Sequence, residues 1–141
     1  MPHMEYRDRV EQTSDAQYAA WNAHDPDAFV ATYAEDAELF DVTSGITTKG
    51  RDMIRALAVD SFVGIPDVCS ERQWLMVEGR RSAERWVMRG THTGEYQGLP
   101  PTGNAIDVAG ATFCDHDDDG RITHDTHLFD VPAFLRQLGV Q

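Results

Sequence analysis

The spacing of apolar residues divides the chain into a helical first half and a strand-rich second half. Apolar side chains recur at helical intervals in three segments, residues 5–23, 24–36 and 50–67, and the last helix should end near Gly64. A short apolar segment over residues 37–42 favours a strand between the second and third helices. The first half therefore predicts three helices and one strand.

The second helical segment carries its own start signal. Asp25 suits the N-cap, because its side chain can accept a hydrogen bond from a free backbone N–H, and Pro26 suits the first helical position. Phe29 and Tyr33 would then share one helix face, four residues apart.

From Val68 onward apolar and polar residues alternate, as they do along β-strands. Helices followed by a run of strands predict an α+β domain, in which helices pack on one face of a curved, mostly antiparallel sheet. We expect one domain over residues 1–141, with residues 1–5 flexible. The alternation marks four strands, "VCSERQWLMVEG", "SAERWVMRGTHTG", "AIDVAGATFCD" and "RITHDTHLFD". The segment "VPAFLRQLGV" then closes the chain as a short helical turn or a tail.

Charge and composition exclude some classes of partner. The formal net charge is −12, whereas nucleic acid and anionic membranes need clustered Lys and Arg, so neither is an expected partner. No signal peptide or apolar stretch of membrane-spanning length is evident, so a cytoplasmic location is expected. Cys69 and Cys114 are expected to be free thiols, although the sequence alone does not decide whether they pair.

The most charged stretch, "CDHDDDGRITHDTH", begins like a calcium loop with Asp115, Asp117 and Asp119 before Gly120. A calcium loop needs a bidentate Glu at its twelfth position, where this chain has Thr126, and it lies between helices rather than strands. The acidic half is better explained as a solvated hairpin turn that uses Gly120 for its positive φ.

The second half of that stretch places Asp125, His127 and Phe129 on one face of a strand. A carboxyl and an imidazole that face an interior are costly to bury without partners, and such cost is tolerated for chemistry or for a hydrogen-bond network. The alternative is that this face is simply solvated. A zinc site made of His127, Asp125 and a distant His92 has suitable ligand types but no diagnostic spacing.

Several further candidates have structural explanations of equal weight. His92, in "GTHTG", could bind backbone at a strand-end turn, and Asp41 could cap the turn "DVTSG". Trp21, Trp86 and Met88 could be core residues rather than parts of a ligand pocket.

The pattern as a whole resembles the SnoaL-like polyketide cyclases of the nuclear transport factor 2-like superfamily. The resemblance implies a cone in which three N-terminal helices pack on a curved sheet and enclose a deep pocket. It also implies a homodimer or higher oligomer and an intramolecular aldol closure that needs no metal and no cofactor. The matching segments run from about Tyr18 to Val140, and the most specific are "GTHTGEYQGLPPTG" and "DGRITHDTHLFDVPAFLRQLGV".

The resemblance also implies roles for individual residues. The acid/base Asp of the cyclases corresponds to Asp125, and an assisting histidine of some members corresponds to Ala111, a departure that weakens the specific ring-closing assignment. In the related ketosteroid isomerases the general base corresponds to Asp41, and the helix-borne phenol falls near Gln17, beside Tyr18. Their protonated Asp again corresponds to Ala111, which argues against steroid isomerisation.

The leading hypothesis is a cofactor-free enzyme that acts on a small apolar or aromatic carbonyl compound. Asp125 would move the proton, and burial should favour its neutral, proton-carrying form. His127 and His92 would orient Asp125 or bind the substrate oxygen, and Asp41 would add a polar group from the opposite wall. The pocket would be lined by apolar and aromatic side chains: Trp21, Tyr18, Tyr33, Phe40, Trp86, Met88 and Phe129.

Two other functions fit the same residues. An epoxide hydrolase, dehydratase or isomerase would need paired acids such as Asp41 and Asp125 with an arginine between them, but Arg85 and Arg89 are predicted to face outward. A non-catalytic module that binds a small molecule or dimerises is the third possibility, because this fold serves many functions.

Overall fold

The computed structural model describes residues 5–140, so the expectation of flexibility at residues 1–5 falls almost wholly outside the described part. Four helices and six strands occur within it, and the predicted α+β class is confirmed. The elements are α1 (Tyr6–Asn22), α2 (Pro26–Val30), β1 (Tyr33–Asp41), β2 (Ile46–Lys49), α3 (Arg51–Gly64), β3 (Cys69–Glu78), β4 (Arg81–Thr91), β5 (Ala105–His116), β6 (Ile122–Phe129) and α4 (Val131–Leu138).

The six strands form one curved sheet in the order β2-β1-β6-β5-β4-β3. Four of the five neighbouring pairs are antiparallel, and the exception is β6, which runs parallel to β1. The prediction of a mostly antiparallel sheet is therefore confirmed. Because β6 lies between β1 and β5, it connects the β1–β2 pair to the β3–β5 strands within one sheet.

The second predicted helix is much shorter than expected. Its start is as predicted, because the Asp25 side chain accepts a hydrogen bond from the Ala28 N–H at 3.0 Å and Pro26 occupies the first turn. It ends at Val30, and Tyr33 belongs to β1, so the prediction of a shared helix face for Phe29 and Tyr33 is wrong. Residues around Tyr33 form a strand because they pair with β6, although their sequence pattern is helical. The strand therefore depends on a partner that is distant in sequence and cannot be predicted from the local pattern.

The Asp25 cap yields a measurable stability prediction. Asp25→Ala should lower the free energy of unfolding by about 1 kcal/mol, because it removes the acceptor for one orphan N–H of α2. Urea denaturation followed by circular dichroism would measure the change. Asp36→Ala removes a comparable exposed carboxyl from β1 and should change stability by less than about 0.5 kcal/mol.

Helix α1 packs against one side of the sheet, which we call the inner face. The buried residues of α1 are spaced three or four apart, as one helix face requires: Val10, Ser14, Gln17 and Ala20. Two of these four are polar, and both bind other buried polar groups. Within residues 5–140, no helix is long and apolar enough to cross a membrane.

The acidic stretch forms the predicted turn between β5 and β6. The Asp117 carboxylate accepts backbone hydrogen bonds from Asp119 and Arg121, each at 2.9 Å, and its other oxygen accepts from the Arg121 side chain. Gly120 has φ of +86°, the conformation for which a glycine was expected. These carboxylates are therefore used by the turn itself.

Candidate active site

Two neighbouring rows of side chains on the inner face contain Asp125, His127 and Asp41, three of the four predicted catalytic residues. Each row crosses the sheet through directly paired residues on adjacent strands. The Asp125 row consists of Ser82, Cys114, Asp125 and Leu39, and the His127 row consists of Glu84, Thr112, His127 and Asp41. The predicted common face for Asp125 and His127 is observed.

Asp125 lies in the interior, with only 5% of its surface exposed. Its Oδ2 accepts a hydrogen bond from the Tyr33 hydroxyl at 2.6 Å, and the Gln17 amide donates to that hydroxyl at 3.0 Å. Its Oδ1 is fully buried and has no hydrogen-bond partner. Because buried polar atoms are nearly always paired, this orphaned acceptor is what a reaction site would leave free.

Tyr33 fixes the Asp125 carboxylate rather than lining a pocket as expected. Burial, reinforced by the neighbouring Asp125 charge, holds the pKa of the Tyr33 phenol well above its usual range. The phenol therefore stays protonated and donates its hydrogen to Oδ2. Arg51 donates two hydrogen bonds to the Tyr33 carbonyl, one of them at 2.8 Å, and so connects the start of α3 to this strand.

His127 stands between Asp125 and the surface, with 25% of its side chain exposed. Its Nδ1 lies 3.7 Å from Asp125 Oδ1, an ion-pair distance that is too long for a hydrogen bond. Burial alone would lower the pKa of His127, but the carboxylates of Asp125 and Asp41 outweigh it and raise that pKa above its usual value. His127 therefore carries positive charge over a wider pH range than a free histidine.

Asp41 caps the turn as predicted, but it does not occupy the opposite wall to which the sequence analysis assigned it. Its Oδ1 accepts the Thr43 N–H at 2.9 Å, so it caps the turn after β1, and its charge also acts on His127. It does not lie on an opposite wall, because β1 and β6 are adjacent strands and Asp41 pairs directly with His127.

His92 is fully buried but lies far from Asp125 along the sheet. It is ten residues beyond Ser82 of the Asp125 row, roughly 33 Å along an extended strand. Its Nδ1 accepts the Thr102 N–H at 3.2 Å, as the backbone-binding alternative required, while its Nε2 is buried without a partner. The structure therefore does not bring His92 together with Asp125 and His127.

The aromatic and apolar candidates separate into inner and outer residues. Trp86 donates its indole N–H to Thr112 Oγ1 at 2.9 Å, which fixes its ring beside the His127 row. Phe40 is 37% exposed and pairs with Thr126, so it lies on the outer face and the prediction that it lines the pocket is wrong. Trp21, Met88 and Phe129 pack against an apolar cluster that includes Val108 and Phe134. The Arg72 guanidinium lies over the ring of Tyr18.

One position implied by the resemblance also lies on the outer face. Ala111 pairs with Arg85 and Leu128, both exposed, so it does not point towards Asp125. The inner residues of β5 next to it are Gly110 and Thr112. The absence of a polar side chain at Ala111 therefore takes nothing away from the inner face, and Arg85 faces outward as predicted.

The sequence reasoning missed the buried carboxyl of Glu84, which is 3% exposed on β4. Its Oε2 accepts a hydrogen bond from Ser14 Oγ at 2.8 Å. A signal was available, because Glu84 has the same parity as Trp86 and Met88, which were assigned to the inner face of that strand.

The described residues offer no ready metal site. No group of three or more His, Cys, Asp or Glu side chains within residues 5–140 is arranged to hold a metal ion. The zinc hypothesis also fails on the separation of His92 from the other two proposed ligands. Two surface cavities, of about 280 and 570 Å³, lie at α1–α2 and along β3 to β6, and the lining of the larger one includes Ser82 and Cys114 of the Asp125 row.

A buried histidine, His116, and a partly exposed one, His127, should make stability depend on pH in opposite directions. Burial lowers the pKa of His116, so its contribution is present above pH 6.5 and is lost as the pH falls. The raised pKa of His127 gives a contribution that is present below pH 6.5 and is lost as the pH rises. Urea midpoints between pH 5 and 9 should therefore peak near neutrality. His127→Gln should reduce the slope on the alkaline side and leave the acid side in place; an unchanged alkaline slope would contradict the assignment.

Comparison with known proteins places these features in a family context. Residues 11–138 match the profile of the family described as SnoaL-like polyketide cyclase. No curated protein matches the chain.

Solved structures show the same fold over nearly the whole chain. A SnoaL-like protein from Jannaschia sp. CCS1 has a TM-score of 0.87 at 17% identity and covers 100% of this chain and 99% of its own. A protein with a ketosteroid isomerase-like fold from Catenulispora acidiphila has a TM-score of 0.79 at 22% identity, with coverage of 92% and 93%. IdmH from Streptomyces antibioticus, described as a candidate polyketide cyclase, has a TM-score of 0.79 at 27% identity, with coverage of 93% and 99%.

Proposed function

The chain belongs to the SnoaL-like polyketide cyclase family, and from that premise we propose that it is a cofactor-independent enzyme for apolar, polyketide-type carbonyl compounds. The reaction that fits the site best is enolisation followed by intramolecular aldol closure. The observation that carries the proposal is the free, buried Oδ1 of Asp125 beside His127.

The first step uses Asp125 as the base. Its Oδ1 accepts a proton from the carbon next to the substrate carbonyl, and the C–H electron pair passes into the carbonyl to form an enolate. Tyr33 remains bound to Oδ2 and holds the carboxylate plane still while the other oxygen reacts. A base positioned in this way contributes about 10²–10⁴-fold to the rate.

His127 stabilises the negative charge that forms on the enolate oxygen. As an imidazolium between two carboxylates, His127 can donate an N–H to that oxygen. It is more exposed than Asp125 and therefore lies nearer to the surface. The enolate carbon then attacks a second carbonyl carbon of the same molecule. The new alkoxide takes back the proton from Asp125, so protons and electrons balance without an added reagent.

Epoxide opening is less well supported than enolisation. It would need an arginine between two acids, but Arg85 and Arg89 are exposed on the outer face, as their alternation predicted. Asp41 already accepts the Thr43 N–H and faces His127 instead.

The outer sheet face supports a proposal about assembly. It exposes four large apolar side chains on β3, β5 and β6 to solvent, and a second copy of the chain would cover them. We expect a homodimer in solution, measurable by sedimentation velocity. The exposed residues are Trp74, Met76, Phe113 and Leu128.

Hydrogen–deuterium exchange tests the proposed chemistry without knowledge of the natural substrate. The bicyclic ketone 2-tetralone, in D₂O, exchanges its C1 protons only by enolisation, and proton NMR follows the exchange. The protein should accelerate this exchange above the buffer rate in proportion to its concentration. Exchange at the buffer rate, despite binding of the ketone, would oppose an enolising enzyme and favour a binding module.

A further inference from the structure

Gly110 leaves room on the inner face for a flat indole ring. Its direct partner on β4 is Trp86. A Cβ atom at position 110 would clash with the Trp86 ring, so this ring lies directly on the glycine backbone. From there the indole N–H reaches Thr112 Oγ1 at 2.9 Å. The missing side chain at Gly110 is therefore what allows Trp86 to bind Thr112.

The hydrogen bond from Trp86 determines what the Thr112 hydroxyl can do. A hydroxyl has one hydrogen to donate and two lone pairs that accept, whereas an indole N–H can only donate. The indole occupies one lone pair of Thr112 Oγ1, so the hydroxyl hydrogen must point in another direction. Within residues 5–140, Thr112 Oγ1 takes part in no second hydrogen bond. The hydroxyl can therefore donate to a bound molecule.

Thr112 stands beside the two groups that the proposed chemistry uses. It pairs directly with His127 across β5 and β6, and directly paired residues have Cβ atoms about 4.5–5.5 Å apart. Asp125 lies two residues before His127 on the same face, which puts it on the diagonal from Thr112, about 7–8 Å away. A ketone whose acidic C–H faces Asp125 can therefore direct its oxygen between Thr112 and His127.

We propose that the Thr112 hydroxyl is a catalytic donor that binds, together with His127, the substrate carbonyl oxygen and the enolate oxygen formed from it. Trp86 is the positioning residue that directs this hydroxyl. Thr112 donates a hydrogen bond and transfers no proton, so the proton balance of the enolisation is unchanged. Donors on two adjacent strands hold the oxygen in one place while Asp125 reacts at carbon. The inference rests on the proposed function in its use of Asp125 as the base.

Anion binding tests the donor without any catalysis. The parent protein is Asp125→Asn, because its neutral amide stands for the protonated Asp125 that accompanies the enolate. The probes are 4-nitrophenolate, which carries negative charge on a ring oxygen and is followed by absorbance at pH 8, and nitrobenzene, followed by NMR. Thr112→Val should weaken 4-nitrophenolate binding by about tenfold, the effect of losing one hydrogen bond to a charged group, and leave nitrobenzene binding unchanged.

Two outcomes of this titration would overturn the proposal. One is a parent protein that binds 4-nitrophenolate no more tightly than nitrobenzene. The other is an equal preference for the anion with and without Thr112→Val. Thr112→Ser keeps the hydroxyl and should keep the preference. Thr126→Val is the matched control, because Thr126 is on the neighbouring strand and pairs with the exposed Phe40 and Phe113 of the outer face.

A double variant tests whether Trp86 acts through Thr112. In the same parent, Trp86→Phe keeps an aromatic ring and removes the N–H, so the preference for the anion should fall, but by less than in Thr112→Val. Combined with Thr112→Val, it should cause no further fall, because two residues that act through one group are not additive. A further fall in the double variant would contradict the positioning role of Trp86.

Ketone exchange then connects the donor to the chemistry. With Asp125 intact, Thr112→Val should slow the protein-catalysed exchange of 2-tetralone by about tenfold. A wild-type rate in this variant would overturn the catalytic role of Thr112. If wild type itself does not accelerate exchange, the proposed function fails, and the preference for 4-nitrophenolate still decides whether Thr112 is a donor.

Discussion

Asp125→Asn should lower the protein-catalysed exchange of 2-tetralone by about 10²–10⁴-fold while the fold persists. An amide cannot take up the proton that Oδ1 is placed to accept. Its oxygen can still accept the Tyr33 hydrogen bond, so the buried network loses little. Proton NMR of the C1 position would measure the rate, and circular dichroism would verify the fold.

Asp115→Asn is the matched control for this variant, because Asp115 lies on a neighbouring strand but points to the outer face, where it pairs with Arg81. It should exchange the ketone at the wild-type rate. Full activity in Asp125→Asn would remove Asp125 from the mechanism, whereas equal losses in both variants would indicate general damage.

Tyr33→Phe should lower the free energy of unfolding by about 2–3 kcal/mol, because a hydrogen bond to a buried charged group is lost and its partners stay buried. The change leaves Asp125 Oδ2 without its 2.6 Å donor and the Gln17 amide without its acceptor. Both carboxylate oxygens of Asp125 would then be unpaired. Urea denaturation would measure the loss, and ketone exchange should slow as well because the base is no longer held in one orientation.

Tyr18→Phe provides the comparison, since it removes one hydroxyl from a neighbouring tyrosine that faces Glu84 instead of Asp125. We expect this variant to lose less stability than Tyr33→Phe. An equal loss of unfolding free energy in the two variants would show that the Tyr33–Asp125 hydrogen bond stabilises the fold no more than the Tyr18 hydroxyl does.

Alternation along single strands was enough to predict the main features of the inner face. The alternation with a period of two predicted that Asp125 and His127 share one face and that Arg85 faces outward. The structure agrees in both cases. The boundaries of α3 and the Asp-Gly turn also followed from local signals, because Gly64 and Gly120 act within a few residues of themselves. Features that depend on local conformation are thus predictable from the chain.

Features that depend on which strands become neighbours were not predictable in this way. Tyr33 looked helical, and only its pairing with β6 makes it part of a strand that donates to Asp125. Phe40 was assigned to the pocket on hydrophobicity, although the register of β1 turns it outward. His92 has the right parity on its strand, but its distance from Asp125 follows only from the cross-strand register.

The insertion of β6 between β1 and β5 has a consequence for how the protein is made. During synthesis the ribosome releases β1 long before β6, so Tyr33 waits for Asp125, which follows it by 92 residues, and Asp41 waits for His127 on the same strand. Contacts this far apart in sequence slow folding, and an unpaired β1 edge invites other chains to bind. A nascent chain stalled before Ile122 should therefore be captured by chaperones, and its release should coincide with the arrival of β6.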